Sequence, residues 1–227
     1  MHIDIVTIFP ELFDAFLNTS LIKRAIAKKK IQCRVWNLRD FSRDKHRKVD
    51  DTPYGGGSGM VMKPEPFFEA VRAIRKKHPS KRSCVIALSP QGTVFTRAAA
   101  WKFSRIPHLI FLCGHYEGID ERVMRHCADC ELSIGDFVLT GGELPAMIAV
   151  DAITRLVPGV VGKKSSVEED SFENNLLKYP QYTKPRDYNG MKVPEILISG
   201  NHAHIAQWRK KMALRATRLK KPALLKK

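Results

Sequence analysis

A chain of 227 residues, 44% hydrophobic and 27% charged, is long enough to bury an ample core and too apolar for general disorder. Its apolar runs, such as Leu109 to Cys113, are far shorter than a bilayer span. The start, Met1-His2-Ile3-Asp4-Ile5-Val6, lacks the basic-then-apolar order of a secretory leader, so a cytoplasmic location is expected. Lys and Arg outnumber Asp and Glu by 39 to 23, a formal net charge of +16, which points to a polyanionic partner.

Ile3 to Phe9 alternates and is rich in β-branched residues, which predicts a strand. Pro10 then opens a helix that carries Phe13, Phe16, Leu17, Leu21, Ala25 and Ile26 at helical spacing. A second strand is predicted over Ile31 to Leu38. Residues 39–63 have no clear period and contain Tyr54-Gly55-Gly56-Gly57-Ser58-Gly59, so they read as a long loop, either plain surface or functional. Without Gly-Lys-Ser/Thr this loop is no phosphate-binding P-loop. Phe67 to Lys77 is helical in pattern.

Three strand-like segments follow, each running into a Gly-bearing turn. Cys84 to Ser89 leads into Pro90-Gln91-Gly92, Leu109 to Cys113 into Gly114, and Glu131 to Leu139 into Thr140-Gly141-Gly142. Short apolar runs of this kind suit parallel strands buried on both faces. Ligands of open α/β sheets sit at the carboxyl ends of the strands, so the three loops could converge on one pocket. Leu144 to Leu156 is apolar on most faces and predicts a buried helix, packed on the sheet or on another subunit. The chain is expected to divide into an α/β domain over 1–160, a polar linker over 161–175 and a basic, mostly helical domain over 176–227. In that last part, 205–219 places Ile205, Trp208, Met212 and Leu219 on one helix face.

The five cysteines, Cys33, Cys84, Cys113, Cys127 and Cys130, cannot all pair and read as reduced, mostly buried thiols. Cys127-Ala128-Asp129-Cys130 is a lone C-x-x-C with neither a second ligand pair nor a thioredoxin-like setting. It predicts two thiols on a helix or at its end, and no metal site. From residue 201 onward there are nine Lys and Arg and no acidic residue, and a second basic cluster runs from Lys23 to Lys48. The tail lacks the apolar face of a membrane-surface helix, so nucleic acid is the expected partner and a membrane is not. No G-x-G-x-x-G follows the first strand, which argues against a dinucleotide oxidoreductase.

Longer blocks carry a resemblance. Asp40-Phe41 through Arg47, Val49 to Met60, Leu88-Ser89-Pro90-Gln91-Gly92, Cys113 to Arg122, Ser133 to Pro145, Glu169-Asp170-Ser171-Phe172 and Leu197 to His202 follow one another in a set order. In these blocks the chain resembles the bacterial tRNA (guanine-N1)-methyltransferases of the knotted, SPOUT-type superfamily, over nearly its whole length. The resemblance implies a mostly parallel sheet flanked by helices with a deep trefoil knot, a small helical C-terminal domain, a homodimer, and methyl transfer from S-adenosyl-L-methionine to N1 of guanosine 37 in the anticodon arm of tRNA. The knot's loops would hold the cofactor. From the first loop come Leu88, Ser89 and Pro90, and from the second Gly114, Tyr116 and Glu117. The third supplies Ser133, Ile134, Gly135, Asp136, Phe137, Val138, Leu139, Gly141, Gly142 and Pro145.

Guanine N1 carries a weakly acidic proton that must leave before its lone pair can attack, and charge then builds on O6. By resemblance the general base is Asp170 and the cation that offsets O6 is Arg155. On the residues alone, Glu168-Glu169-Asp170 reads as a solvated acidic linker and Arg155 as a helix-terminal charge. Substrate contacts are expected from Asp50, Gly59, His115, Ser171, Asn201, His202, Trp208 and Arg209. Some family members carry arginine at the position of His115, and some continue beyond the position of Lys227 into another helix. The competing readings are an RNA-binding protein without catalysis and a knotted methyltransferase acting at another RNA position.

Overall fold

The computed structural model describes residues 1–79, 82–162 and 170–226. Glu168 and Glu169 lie outside the described residues, as does the central part of the expected linker. The chain forms two compact units, Met1–Val161 and Gly162–Lys227.

The first unit is a five-stranded sheet in the order β2-β1-β6-β5-β7, with every neighbouring pair parallel. Its strands are β1 (His2–Thr7), β2 (Gln32–Asn37), β5 (Ser83–Val94), β6 (His108–Cys113) and β7 (Cys130–Ser133). β6 sits in the middle and is buried at every position, which is why its sequence after His108 is continuously apolar. On one face lies α3 (Pro64–Lys77), whose Phe67, Ala70, Val71 and Ile74 pack with Val6, Val85, Ile110 and Leu112. The other face is served by α6 (Glu143–Thr154), with Ala146, Ala149, Val150 and Ile153 fully buried, and by α4 (Arg97–Ser104) packed beside it. Each large apolar side chain buried in this way contributes about 1.5–3 kcal/mol.

Several expectations need correction. The single helix from Pro10 is broken into a 3₁₀ turn (Pro10–Leu12), α1 (Phe13–Leu17) and α2 (Ser20–Ala27). The break lies where Asn18 Nδ2 and Thr19 Oγ1 donate to the carbonyls of Asp14 and Ala15, at 2.8 and 2.6 Å. Polar side chains that capture i−4 carbonyls compete with the helix ladder. The long loop over 39–63 contains a 3₁₀ turn (Leu38–Phe41) and a short hairpin of β3 (Asp50–Asp51) with β4 (Val61–Met62), pinned by the buried Leu38, Val49 and Met62.

β5 does not end at Ser89. Leu88 and Thr93 both lie opposite Leu132, so residues 89–92 loop out and the strand resumes. A Cβ on Gly92 would meet the backbone of Glu131 and Leu132 at 2.4 Å, and this crossing therefore requires glycine. β7 stops at Ser133 and does not run on to Leu139. The Ser133 hydroxyl bonds the Gly135 N–H and carbonyl at 3.2 and 3.1 Å, and Gly135 takes φ +146°, which turns the chain off the sheet edge. Of the C-x-x-C pair, Cys127 caps α5 (Glu121–His126), but Cys130 begins β7.

At the amino end of the sheet, the buried Asp4 accepts a hydrogen bond from Trp36 Nε1 at 2.6 Å and pairs with His108 Nε2 at 2.7 Å. One carboxylate thereby ties together β1, β2 and β6. The His2 and His78 rings pack on this group, at centroid distances of 6.1 and 5.1 Å from His108.

In the second unit, α7 (His202–Lys220) is capped by Asn201, whose side chain accepts from the His204 N–H at 3.1 Å. Ile205, Trp208 and Met212 lie on its partly buried face, which continues through Ala213 and Thr217; Leu219 is 73% exposed and falls off it. Thr217 Oγ1 accepts from the Leu177 N–H and so ties the start of the unit to the helix. A small hairpin, β8 (Asp187–Tyr188) with β9 (Met191–Lys192), turns through Asn189-Gly190, both at positive φ. No described helix is long and apolar enough to cross a membrane.

Asp4→Ala leaves the Trp36 and His108 donors buried without an acceptor and should cost about 3 kcal/mol in urea unfolding. A loss under about 1 kcal/mol would show that this tie is dispensable. Gly92→Ala must push β5 and β7 apart, and its thermal unfolding midpoint should fall by several degrees, about 4 °C or more; an unchanged midpoint would remove the constraint.

Candidate active site

The sheet delivers three chain segments to one place. At the carboxyl ends of β5, β6 and β7, residues 88–91, 114–119, 131–135 and 137–142 line a cavity of about 290 Å³. Leu88, Ser89 and Pro90 line it from the looped-out part of β5, and Gly114, Tyr116 and Glu117 from the turn after β6. From the segment after β7 come Ser133, Ile134, Gly135, Phe137, Val138, Leu139, Gly141 and Gly142, with Pro145 from the first turn of α6. Asp136 is exposed and does not line the cavity, because the turn at Gly135 aims it outward. His115, expected to face substrate, lines the cavity too, as do Gln91, Glu121 and Thr140, which lie in the motif blocks but were given no role there, and Met124, which lies outside them.

Close backbone approach shapes this pocket. The Gly142 N–H donates to the Gly114 carbonyl at 2.8 Å, and a Cβ on Gly142 would sit 2.8 Å from Cys113 Cα. A Cβ on Gly141 would meet the Glu143 and His115 side chains at 2.3 and 2.6 Å. Small residues at these points let two loops close on each other and leave backbone groups facing the cavity.

Behind this wall lies a polar group that the sequence reading missed. Glu143, the first residue of α6, is 4% exposed, and its Oε1 accepts from the buried Thr7 Oγ1 at 2.7 Å. Thr7 Oγ1 in turn accepts from the Phe9 N–H. The negative carboxylate at the positive end of α6 is favoured by the helix dipole. The His115 ring packs edge-on against Phe9 and Tyr116, and its buried Nδ1 has no hydrogen-bond partner among the described residues. Glu143 stands inside a motif, but nothing in its local spacing announces a partner 136 residues away.

The β3–β4 hairpin closes on the second loop. The Glu117 N–H donates to Met60 O, the Met62 N–H to Gly118 O, and the Asp120 N–H to Met62 O, all at 2.9–3.0 Å. Gly59, at φ +84°, lies so close to Glu117 that a Cβ would meet its carboxylate at 2.5 Å. Asp50 stands opposite Met62 on the same hairpin. Asp120 caps α5, and the Arg122 guanidinium beside it holds its carboxyl below the usual carboxylate range.

Arg155 is the exposed C-cap residue of α6, in the first unit. Asp170 belongs to the second unit, where Lys178 Nζ stands 3.4 Å from Oδ1. Asp170 opens a tight turn in which Phe172, Asn174 and Asn175 all take positive φ. The Ser171 hydroxyl fastens this turn by accepting from the Lys178 N–H at 3.0 Å. Non-glycine residues in the left-handed region cost energy, and such strain concentrates at functional segments. Further along, Trp208 packs near Tyr182 and the Arg209 guanidinium lies 4.9 Å over the Tyr179 ring. His202 is exposed at the start of α7, whereas the Asn201 side chain is used in capping.

Comparison with known proteins gives this arrangement a family. The model of the family described as tRNA (Guanine-1)-methyltransferase TrmD matches residues 1–227. Relatives called tRNA (guanine-N(1)-)-methyltransferase share 57% identity in Dictyoglomus turgidum, over 100% of this chain and 91% of the relative, and 51% in Bacillus subtilis, over 100% and 93%. The Clostridioides difficile relative is 49% identical over 100% of this chain and 98% of its own length. With a five-stranded parallel sheet, a glycine-shaped cavity at its carboxyl ends and similarity along the whole sequence, the chain belongs to the tRNA (guanine-N1)-methyltransferase family.

Proposed function

We propose that the protein transfers a methyl group from S-adenosyl-L-methionine to N1 of guanosine 37 in tRNA, in the cytoplasm and as a homodimer. The observation that carries this reading is the cavity at the ends of β5, β6 and β7, whose glycines leave room for backbone to approach a ligand at the place where α/β sheets bind one. The cavity suits a donor with both an apolar and a polar end: Leu88, Ile134, Leu139 and Pro145 offer apolar wall, and the backbone of 133–142 offers donors and acceptors. S-adenosylmethionine brings an activated methyl group, so what remains for the protein is orientation and proton handling. The loops are read as parts of a deep trefoil knot.

Asp170 accepts the N1 proton of guanine, and Arg155 offsets the charge that grows on O6 as that proton leaves. Asp50, Gly59, His115 and Ser171 contact the target nucleotide and its neighbours. Asn201, His202, Trp208 and Arg209 belong to the helical unit that grips the anticodon arm, where the exposed cations of α7 meet phosphate. Dimer formation is favoured by the large apolar side chains exposed near the cavity and along α6, with Val138 83% exposed and Phe137, Leu144 and Ile148 about half exposed.

Transfer of labelled methyl to a tRNA transcript with guanosine 37 tests the reading. The label should be lost when that base is replaced, and Asp170→Ala should lower turnover at least ~100-fold while donor affinity stays level. Transfer that survives the base replacement would move the target elsewhere, and a collapse of donor affinity would deny Asp170 the role of base. Affinity for tRNA should also fall steeply as salt rises, because bound phosphates release counterions, whereas donor affinity should change little. Equal salt slopes for the two would remove the basic helix from the account.

A further inference from the structure

Topology segregates the charge of the first unit. Every strand pair of the sheet is parallel, so the connections that lead from helix to strand all lie at its amino end, opposite the cavity. Contacts join them there. The Gln32 N–H donates to the Met1 carbonyl at 2.9 Å and the His2 N–H to the Pro107 carbonyl at 2.8 Å. The His2 and His78 rings lie 4.5 Å apart, and Arg75 stands 3.6 Å from Asp129. The ends of α2, α3, α4 and α5 therefore share one surface, about 20 Å across from the spacing of five strands.

The described residues of 28–31, 75–79, 82, 102–107 and 125–129 include ten Lys and Arg, all exposed, and one acid, Asp129. Among the described residues only Arg75 and Arg125 of the ten stand in ion pairs. Helix dipoles favour cations in a last turn, which is reason enough for Arg75, Lys76, Lys77, Lys102 and Arg125. They give no reason for Lys29, Lys30 and Arg82, which lie beyond the helices, or for the exposed Arg34 in the edge strand β2. The loop over 39–63, at the carboxyl end, is different: it interleaves six Lys and Arg with four acids, and Arg47 and Lys63 are paired within it. Crowded like charges repel, so a concentration of this kind persists where a polyanion meets it.

A cavity of about 260 Å³ opens on the same surface, lined by His2, Gln32, Arg34 and His78 together with Ile3, Ile26 and Cys33. Asp4 also reaches it, but its carboxylate is taken by Trp36 and His108. The donors that remain suit a phosphate oxygen. The two tryptophans here carry cations over their rings: Lys77 and Arg34 over Trp36 at 4.4 and 5.3 Å, and Arg105 over Trp101 at 5.7 Å. Little open ring is left on which unpaired bases would stack, so the surface fits backbone and not bases.

We propose that the amino end of the sheet is a second RNA-binding surface, one that takes the phosphate backbone of double-helical RNA apart from the cavity at the carboxyl end. The six residues of β6 set it about 20 Å from that cavity, too far for one nucleotide to touch both. The choice of RNA among polyanions rests on the tRNA reading given above. A membrane-bound face would expose more large apolar side chains than Trp101.

The test measures binding of a plain RNA duplex of about 16 base pairs to the full chain over a range of salt. Lys29→Gln, Lys76→Gln, Arg82→Gln and Arg105→Gln together should weaken duplex binding at least ~10-fold and flatten its salt dependence, because phosphate contacts are lost. Affinity for S-adenosyl-L-methionine should stay level. Lys210→Gln, Lys211→Gln, Arg215→Gln and Arg218→Gln together, on α7, should weaken the duplex far less. An equal loss in the two variants would mean diffuse charge alone and would overturn the proposal. So would binding to phosphatidylserine vesicles that the first variant loses while it keeps the duplex. Photo-crosslinking of a thiouridine-bearing duplex to the unsubstituted chain should mark peptides at 28–34 and 75–82, and cross-links confined to α7 would overturn the surface without recourse to any variant. Absence of methyl transfer with these results intact would count against the tRNA reading and not against this surface.

Discussion

The contact between Gly142 and Gly114 is the constraint on which the rest of the first unit turns. The chain after β7 must leave the sheet edge, line the cavity and come back to start α6, a helix buried on the sheet. It can do so only if its backbone comes within hydrogen-bonding distance of the loop after β6. A side chain at Gly142 would meet the backbone of Cys113 and Gly114 and hold the two apart, and one at Gly141 would displace the Glu143 and His115 side chains. The same closeness buries Glu143 at the helix start, and Thr7 at the end of β1 supplies a donor for its carboxylate. A steric requirement at one backbone contact therefore propagates into a buried hydrogen bond, a packed helix and a shaped cavity.

The two ends of the sheet are built differently, and the difference follows from what each must do. At the amino end, Asp4 satisfies donors from two neighbouring strands and the histidine rings close over it, so the polar groups are spent on structure. At the carboxyl end, polar backbone faces the cavity and the apolar side chains of 137–139 remain exposed, which suits a place where a ligand or another subunit can meet them. The strained turn that opens at Asp170 shows the same economy in the second unit.

Much of this molecule was legible in the sequence because it depends on local periodicity. The apolar runs at 84–89 and 109–113, the helices at 67–77 and 144–156, and the glycines that follow the strands all announce themselves through spacing that the backbone geometry imposes. The motif blocks, matched in order, carry the family. What the sequence could not reveal depends on partners distant along the chain. Glu143 found Thr7, Asp4 found His108 and Gly92 met β7, each through strand order and not through spacing. The apolar run 134–139 has the composition of a strand and is a loop, because Ser133 and Gly135 turn it away at an edge where no further strand waits to pair. Local pattern determines which segments bury themselves; only the tertiary structure decides which side chains meet, since that depends on the order in which strands lie side by side.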